Sequence, residues 1–269
     1  MGRIGRSFQL VGVSYRILMQ DKELMILPLV AGVIIAAVVT MVAFGAGLDS
    51  AAIERFGPDA YIPLFAMYVA AYAIGIFFQA AVVAGAMERM RGGDPTVASA
   101  LAAAGRRAGP ILLWALVAAT VGIAIRAVHE RLGFVGRIVM TVVGAAWSLA
   151  TFFVVPVLVL EDKTMRASFS RSVHMFRATW GETVVGGTTL GAAAMCAWLT
   201  LVAATGLLAW LAGTVALVFF ALGAILLMIF FSAMEGIYVA SLYQYVTDGR
   251  GPAGFDETLL RHAFVPKRR

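Results

Sequence analysis

The residues that could carry chemistry in this chain are three histidines, one cysteine and a few widely spaced glutamates. His129, His174 and His262 lie far apart in the sequence, and none has a neighbour at metal-ligand spacing. The sequence contains no His-Glu-x-x-His, Cys-x-x-Cys, Gly-x-Ser-x-Gly, Walker or Rossmann pattern. Cys196 is the single cysteine, so an intramolecular disulfide is impossible. We therefore expect no catalytic, metal or cofactor site, and a protein that is not an enzyme.

Three glutamates recur at nearly equal spacing. The interval from Glu88 to Glu161 almost equals that from Glu161 to Glu235, and each glutamate is predicted to lie near the C-terminal end of an apolar helix. Negative charge there opposes the helix dipole, at a cost of typically ~0.3–1 kcal/mol when exposed. We hypothesise that at least two of the three pair with an arginine of a neighbouring helix, the alternative being freely solvated carboxylates. The candidate arginines are Arg6, Arg16, Arg106, Arg107, Arg171 and Arg177.

The composition is that of a chain whose solvent is mostly lipid. Apolar residues make up 61% of the sequence and charged residues 13%, whereas about 25% charged residues is typical of soluble domains. The charges occur in clusters separated by long apolar runs. The net charge of +6 comes from basic residues that flank these runs and do not form a stripe. Anionic lipid headgroups are therefore favoured over nucleic acid as the partner, with other membrane proteins as further possible partners.

The apolar runs predict six membrane-spanning helices. The run from Thr183 to Met234 contains no charged residue, and as one helix it would be roughly 78 Å long, against a hydrocarbon core of ~30 Å. It must form two helices, with a turn predicted near Thr205-Gly206 and Gly213. We predict an all-α polytopic bundle of three hairpins in one domain, residues 1–269. The predicted spans are 24–47, 61–86, 110–125, 138–160, 183–205 and 213–240.

Lysine and arginine are distributed unequally between the two ends of these helices. The N-terminal tail, the second and fourth loops and the C-terminal tail hold 17 of them, and the opposite side holds 4. An excess of basic residues marks the cytoplasmic side of a membrane protein. We therefore expect a multi-pass protein of the inner (cytoplasmic) membrane, with the N-terminus and the tail 241–269 both in the cytoplasm.

Segments beside the predicted spans show the apolar periodicity of amphipathic helices. One covers residues 1–23, one begins at Asp94-Pro95, predicted as N-cap and first helical residue, and one begins at Met165. Basic helices of this kind usually lie in the headgroup layer, where they would cover the bundle or bind a partner. The stripe of the first segment is formed by Ile4, Phe8, Val11, Tyr15 and Leu18.

These segments and the glutamates suggest an internal repeat. The interval between Ser99 and Ser172 is the same as that between Glu88 and Glu161. We interpret the chain as one unit, an interfacial helix followed by an outward-and-back hairpin, used three times in the same orientation. Such parallel repeats are related by an axis along the membrane normal.

The predicted midplanes of the six spans hold no ionisable residue. Glu235 comes nearest, but at about the 23rd position of the sixth span it should reach the inner interface. Pro156 is the one proline well inside a span, where it leaves the carbonyl of Phe152 without its helical donor and can kink the fourth helix. Thr151 or Ser148 could resolve that kink locally.

Long tryptophan-marked strings run through the middle of the chain: WALVAATVGIAIRAVHER (114–131) and AAWSLATFFVVPVLVLE (145–161), with Asp21-Lys22-Glu23-Leu24 before them and Trp180-Gly181-Glu182 after. Together they resemble an uncharacterised bacterial and archaeal family of six-helix integral membrane proteins. The resemblance covers most of the chain and is densest from 112 to 187. The matching motif residues are Trp114, Arg126, Glu130, Trp147, Pro156, Glu161, Ser172, Trp180 and Glu182.

This resemblance implies a fold and a topology but no mechanism. The architecture is also loosely similar to the membrane domain of some glycerophosphodiester phosphodiesterases and to Yip-type membrane proteins. The chain has no phosphodiesterase domain, so that activity is not implied.

Two functions are compatible with these features. The first is a scaffold, accessory or assembly factor that contacts partners or anionic lipids through its cytoplasmic helices. The alternative is a transporter or channel for a lipid or apolar solute. The two differ in what the bundle should contain. A permease needs a cavity lined by a few polar groups, whereas the interior of a scaffold should be packed solid with Ala, Gly and aromatic side chains.

Overall fold

The structure, a computed structural model, describes residues 3–45, 61–161 and 163–248. Within these ranges the chain is helical and contains no strand. A short 3-10 helix, Lys22–Met25, joins the first two α-helices. The α-helices are α1 (Arg3–Gln20), α2 (Ile26–Gly45), α3 (Tyr61–Met90), α4 (Val97–Gly105), α5 (Ala108–Arg131), α6 (Phe134–Thr151), α7 (Val154–Leu160), α8 (Met165–Ala212) and α9 (Val215–Asp248).

Six helical stretches are long and apolar enough to cross a membrane, which confirms the predicted all-α, polytopic fold class. The largest differences from the predicted bounds concern the third and sixth spans. The third is the 24-residue α5 and not the short segment 110–125, because the helix continues through Arg126 to Arg131. The sixth does not end at 240, since α9 continues to Asp248 and its residues from Ala233 to Tyr245 are buried, except Glu235, which is exposed.

The fourth span is broken in the middle. Helix α6 ends at Thr151 and α7 begins at Val154, with Pro156 in the first turn of α7, where its missing N–H costs nothing. The Thr151 hydroxyl does not resolve the break, because it bonds the carbonyls of Trp147 and Ser148 in its own helix, at 2.9 and 3.2 Å. Ser172 of α8 does so instead. Its hydroxyl donates to the carbonyl of Ala150 at 2.7 Å and accepts from the N–H of Phe153 at 3.0 Å.

The fifth span and the segment before it form one kinked helix. Helix α8 has 48 residues, and Thr179, with φ −124° and ψ 20°, is its one non-helical position. The Thr179 hydroxyl donates to the carbonyl of Met175 at 3.0 Å, a side-chain bond that bends helices. Of the turn predicted near Thr205-Gly206 and Gly213, the Gly213 part is confirmed, whereas the chain does not turn at Thr205-Gly206. The helix continues to Ala212 and ends at Gly213, whose φ of +57° favours glycine.

The core lies where the second helices of the hairpins meet. The C-terminal half of α3, α7 and the C-terminal half of α9 supply most of the fully buried side chains. Small residues permit the contact: a Cβ on Gly236 of α9 would lie 2.6 Å from Cγ1 of Val82 in α3, and one on Gly85 would lie 2.6 Å from Cδ2 of Leu24. The N-terminal half of α9 and most of α6 are exposed to the surroundings of the bundle.

Helix α1 packs on α8 and α9 through a face that differs from the predicted one. Its buried residues include Leu10, Ser14, Ile17 and Leu18, whereas Tyr15 is 50% exposed. The buried face is thus displaced from the predicted stripe toward Ser14 but still includes Leu18, while the side chains of Ile4 and Phe8 lie outside the described part of the structure. The Ser14 and Ser241 hydroxyls are 3.5 Å apart at this contact.

Replacement of Ser172 by alanine tests the repair of the broken span. Ser172→Ala leaves the buried N–H of Phe153 and the carbonyl of Ala150 without that partner, which should cost ~1–3 kcal/mol and lower the Tm. The matched control is Ser168→Ala, one turn earlier and equally buried, whose hydroxyl bonds only the carbonyl of Thr164 in its own helix, at 3.0 Å. Equal Tm changes in the two variants would contradict this role of Ser172.

Candidate functional site

One end of the bundle carries a network of charged side chains, here called the polar rim and defined by Asp21, Arg89, Asp94, Glu161 and Arg171. The Arg89 guanidinium binds both carboxylate oxygens of Asp21 and also donates to Asp94 at 2.7 Å. Asp21 is only 7% exposed, so its bidentate partner offsets the cost of burying its charge. The pair connects the end of α1 to the end of α3.

Helix α4 is attached to the same end of α3. Its N-cap is Thr96, not the predicted Asp94, and Thr96 and Ser99 form a reciprocal capping box with two bonds of 3.0 Å. Asp94 instead accepts a hydrogen bond from Arg89 and does not cap the helix. The Ser99 hydroxyl also donates to the carboxylate of Glu88 at 2.8 Å. A hydroxyl of α4 thus stabilises the negative charge at the end of α3.

Glu161 is the centre of the rim between α7, α8 and α9. Its carboxylate accepts from the Tyr243 hydroxyl at 3.0 Å and from Nε of Arg171 at 3.3 Å, and it also pairs with Lys163. Burial works against ionisation of this carboxyl, but the bonds from Lys163 and Tyr243 and the charge of Arg171 hold its pKa below the ordinary value of 4.5. Arg107 donates to the carbonyls of Leu158 and Glu161, at 3.1 and 2.7 Å.

The three repeated glutamates therefore have different surroundings. Glu161 pairs with Arg171, as hypothesised, whereas Glu88 bonds Ser99. For Glu235 no ion pair occurs among the side chains that the structure describes. The expectation that at least two of the three would pair with a basic residue is thus not met within the described residues. The aligned serines also differ, since Ser99 binds a carboxylate and Ser172 repairs a backbone break.

Glu235 is not at a helix end, because α9 continues beyond it to Asp248. Tyr243 is level with Glu161 of the rim, and Ser241 lies 3.6 Å from the sulfur of Met90 at the end of α3. Glu235 comes just over two turns before Tyr243, which is about 12 Å along a helix at ~1.5 Å per residue. Helical side chains also lean toward the N-terminus, which here means away from the rim. The carboxyl therefore lies inside the apolar stretch Val215–Asp248, which is long enough to cross a membrane, and about two turns from the rim.

Glu235 opens into a cavity of about 440 Å³ between α3 and α9, here called the Glu235 cavity. Two tyrosines of α3 line it, Tyr68 and Tyr72, whose rings stack with centroids 5.8 Å apart. Gln79 contributes an amide, and Gly75 leaves an open stretch of wall, since a Cβ there would meet nothing within 4 Å. An ionisable residue at this depth is rare and usually functional in membrane proteins.

A second cavity of about 440 Å³, here called the apolar groove, lies between α2, α3 and α9. Gly75 and Gln79 belong to the walls of both cavities. The remaining lining is almost entirely apolar and includes Phe78, Val82 and Ile229. The two cavities thus place one carboxyl and one amide beside a hydrocarbon-lined space of the size that ligand sites have.

The motif residues around the broken span are brought together at the junction of α5, α6, α7 and α8. Trp114 stacks on Trp147 at 6.0 Å, and Trp147 stacks on Phe169 at 5.9 Å. Pro156 is buried beside them in α7. This aromatic contact fixes the first part of α8 to the hairpin formed by α5 and α6.

Other motif residues lie elsewhere. Arg126 and Glu130 form an exposed i,i+4 pair at 3.1 Å near the C-terminal end of α5, away from the rim. Trp180 is 54% exposed just after the kink. Glu182 belongs to α8, but its side chain lies outside the described part of the structure, as do residues 249–269 of the predicted tail.

Several residues of these sites were missed by sequence reasoning. A glutamine at position 79 of an apolar span and tyrosines spaced i,i+4 at 68 and 72 are signals that could have indicated the cavity. Arg89 and Asp21 could not be paired from the sequence, since 68 residues separate them. Within the described residues, no group of three His, Cys, Asp or Glu side chains is arranged to hold a metal ion.

A family profile matches residues 59–255, which include the rim from Glu88 onward and both walls of the Glu235 cavity. The chain belongs to the DUF6159 family, a family of unknown function. This membership confirms the resemblance to an uncharacterised membrane protein family. No match was found among the curated proteins. The polar rim and the Glu235 cavity are therefore features of a DUF6159 protein. Because the family has no known function, the function of this protein must be inferred from these two sites.

The pH dependence of stability tests the role of Glu161 in the rim of this DUF6159 protein. Because its folded-state pKa is lowered, its stabilising contribution is present above the unfolded-state pKa and is lost as the pH falls through the folded-state pKa. Tm measured from about pH 6 to about pH 3 should fall less steeply in Glu161→Gln than in the parent. Glu130→Gln, which changes an exposed pair, should follow the parent curve. Parallel curves for Glu161→Gln and the parent would refute this contribution.

Proposed function

We propose that this protein is a non-enzymatic integral membrane protein that binds a lipid or similar amphiphile between α2, α3 and α9 and moves it within the bilayer. The observation that carries the proposal is the carboxyl of Glu235 at membrane depth in a cavity of about 440 Å³. A protein that only holds partners together has no need of a carboxyl there, where an unpaired charge is costly. A ligand-binding protein does need a few polar groups beside an apolar space.

The bundle also has the asymmetry that such a function requires. In its rim half the helices pack closely around α3, whose Ala80, Ala81 and Ala86 are fully buried. Its other half opens into the apolar groove and the Glu235 cavity, where Leu29 and Ile225 are exposed. A closed end and an open end would let an amphiphile enter from the surrounding lipid while the rim prevents leakage of ions.

A scaffold that contacts partners or anionic lipids through its interfacial helices is the second candidate. It is favoured by exposed arginines on the segments before and after α4 and at the start of α8, among them Arg91, Arg106 and Arg166. Basic side chains beside a membrane attract anionic headgroups, at about 1 kcal/mol each near the surface. We propose that the rim faces the cytoplasm, with the N-terminus and C-terminus on that side of the inner membrane. The tandem unit of interfacial helix and hairpin is part of the same proposal.

Filling the cavities distinguishes the two functions. Gly75→Leu directs a side chain toward both cavities, from a position at which a Cβ meets nothing within 4 Å. We expect the variant to fold and to lose lipid that the parent retains after gentle detergent extraction, measured by native mass spectrometry. Gly187→Leu is the control, since its Cβ is equally free and Gly187 lines neither cavity. Equal lipid retention by both variants would refute binding in the cavities and leave the scaffold.

Cysteine accessibility tests the proposed orientation. In a background with Cys196→Ala, which removes an exposed thiol, cysteines are placed at Ala98 of the rim end and at Phe134 of the opposite end, both exposed. In intact cells an impermeant thiol reagent should label the cysteine at position 134 and not the one at position 98. Labelling at position 98 alone would invert the orientation.

A further inference from the structure

We propose that the amphiphile bound in the Glu235 cavity carries a cationic headgroup, which pairs with the Glu235 carboxylate while its hydrocarbon chain lies in the apolar groove. This inference deepens the proposed function and rests on it. It assigns a chemical class of ligand, an ammonium-bearing amphiphile, to a site built from α3 and α9.

The first reason to expect a cationic headgroup is the charge of the Glu235 cavity. Among the described residues that line it, Glu235 supplies the one carboxyl group, and no lysine, arginine or histidine is present. An anionic headgroup would meet the Glu235 carboxylate, and no basic side chain among the described lining residues would offset the repulsion. A cationic headgroup supplies an opposite charge, which no side chain in the described part of the chain places beside Glu235. The sign of the site therefore favours a cation.

The second reason is the pair of tyrosines in the wall of the cavity. Tyr68 and Tyr72 are one turn apart on α3, and each is 40% exposed. Their rings are nearly parallel, with 23° between the planes, and both line the cavity that Glu235 enters. The face of an aromatic ring attracts an ammonium group within about 6 Å of its centroid, most strongly where water is excluded. A carboxylate beside aromatic faces is a chemical environment that recognises ammonium groups.

The wall that the two cavities share indicates that the ligand also has an apolar chain. Gly75 and Gln79 line both cavities, so a headgroup at Glu235 lies next to a space lined by hydrocarbon. The amide of Gln79 lies close to the α9 backbone, since its Nε2 would be 3.3 Å from a Cβ on Gly236. A ligand with a polar end of a few atoms and a long apolar chain fits this arrangement, with its polar end in the Glu235 cavity and its chain in the apolar groove. A compact hydrophilic cation would leave the groove unoccupied.

Photo-crosslinking with three probes of equal chain length tests the class of ligand. The parent protein in phosphatidylcholine nanodiscs is irradiated with diazirine-bearing octadecylamine, octadecanol or octadecanoic acid, and the crosslinked peptides are identified by mass spectrometry. We expect the amine to label peptides of α3 and α9 at least ~10-fold more than the other two. Glu235→Gln, which is neutral and similar in shape, should remove this preference, whereas Glu235→Asp should retain part of it.

The outcomes separate this inference from the proposed function. Equal labelling by the amine and the alcohol, unchanged in Glu235→Gln, would overturn the cationic class and identify the carboxyl as a neutral hydrogen-bonding group. If Gly75→Leu still reduced labelling by every probe, amphiphile binding in the cavity would stand. Absence of labelling by all three probes in the parent would overturn both. Tyr72→Phe, which retains the ring, should keep the preference for the amine, and its loss there would contradict recognition by the aromatic face.

Discussion

The close packing of the C-terminal half of α3 is the constraint on which the rest of the bundle depends. From Phe78 to Met87 this helix is buried on almost every side, and it contacts α2, α4, α5, α7 and α9. In a bilayer the hydrophobic effect does not drive helices together, so association depends on dispersion contacts between closely approaching backbones and on polar interactions. Alanines and glycines on α3 and α9 allow that approach, as at Gly236 against Val82. Helix α3 is the helix that α2, α4, α5 and α7 contact most extensively, so loss of that contact would remove the main partner of each.

The polar rim supplies what close packing cannot, namely a fixed register between the helices. Arg89 holds the junction of α1 and α2, Ser99 holds α4 by way of Glu88, and Glu161 joins α7 to α8 and α9. Small apolar surfaces alone would allow sliding along the helix axis, whereas directional bonds to charged groups do not. The rim therefore sets the depth of every other residue, including that of Glu235, and so determines where the two cavities lie.

One span and the segment before another depart from regular helices, and both departures are satisfied by hydroxyl groups. The break between α6 and α7 is closed by Ser172, and the kink in α8 accompanies the bond from Thr179 to Met175. Non-helical backbone is tolerated at membrane depth only where other groups of the protein satisfy its N–H and C=O groups. The first part of α8 is thus more than a cover for the end of the bundle. It carries the serine that makes the fourth span possible and contributes Phe169 to the tryptophan stack.

The sequence by itself determined the fold class, the six spans and the clusters of charge that form the rim, because hydropathy and charge are local properties that a bilayer sorts directly. It also singled out Pro156 and Ser172, but it did not show that the Ser172 hydroxyl bonds the broken backbone just before Pro156. Tertiary structure decided the depth of Glu235, since α9 remains helical to Asp248 only because its last turns are buried by other helices. It also decided the cavity, whose walls come from positions such as Gly75 and Glu235 that lie on helices far apart in the chain. No local pattern encodes such a meeting, because it depends on how the helices pack against one another.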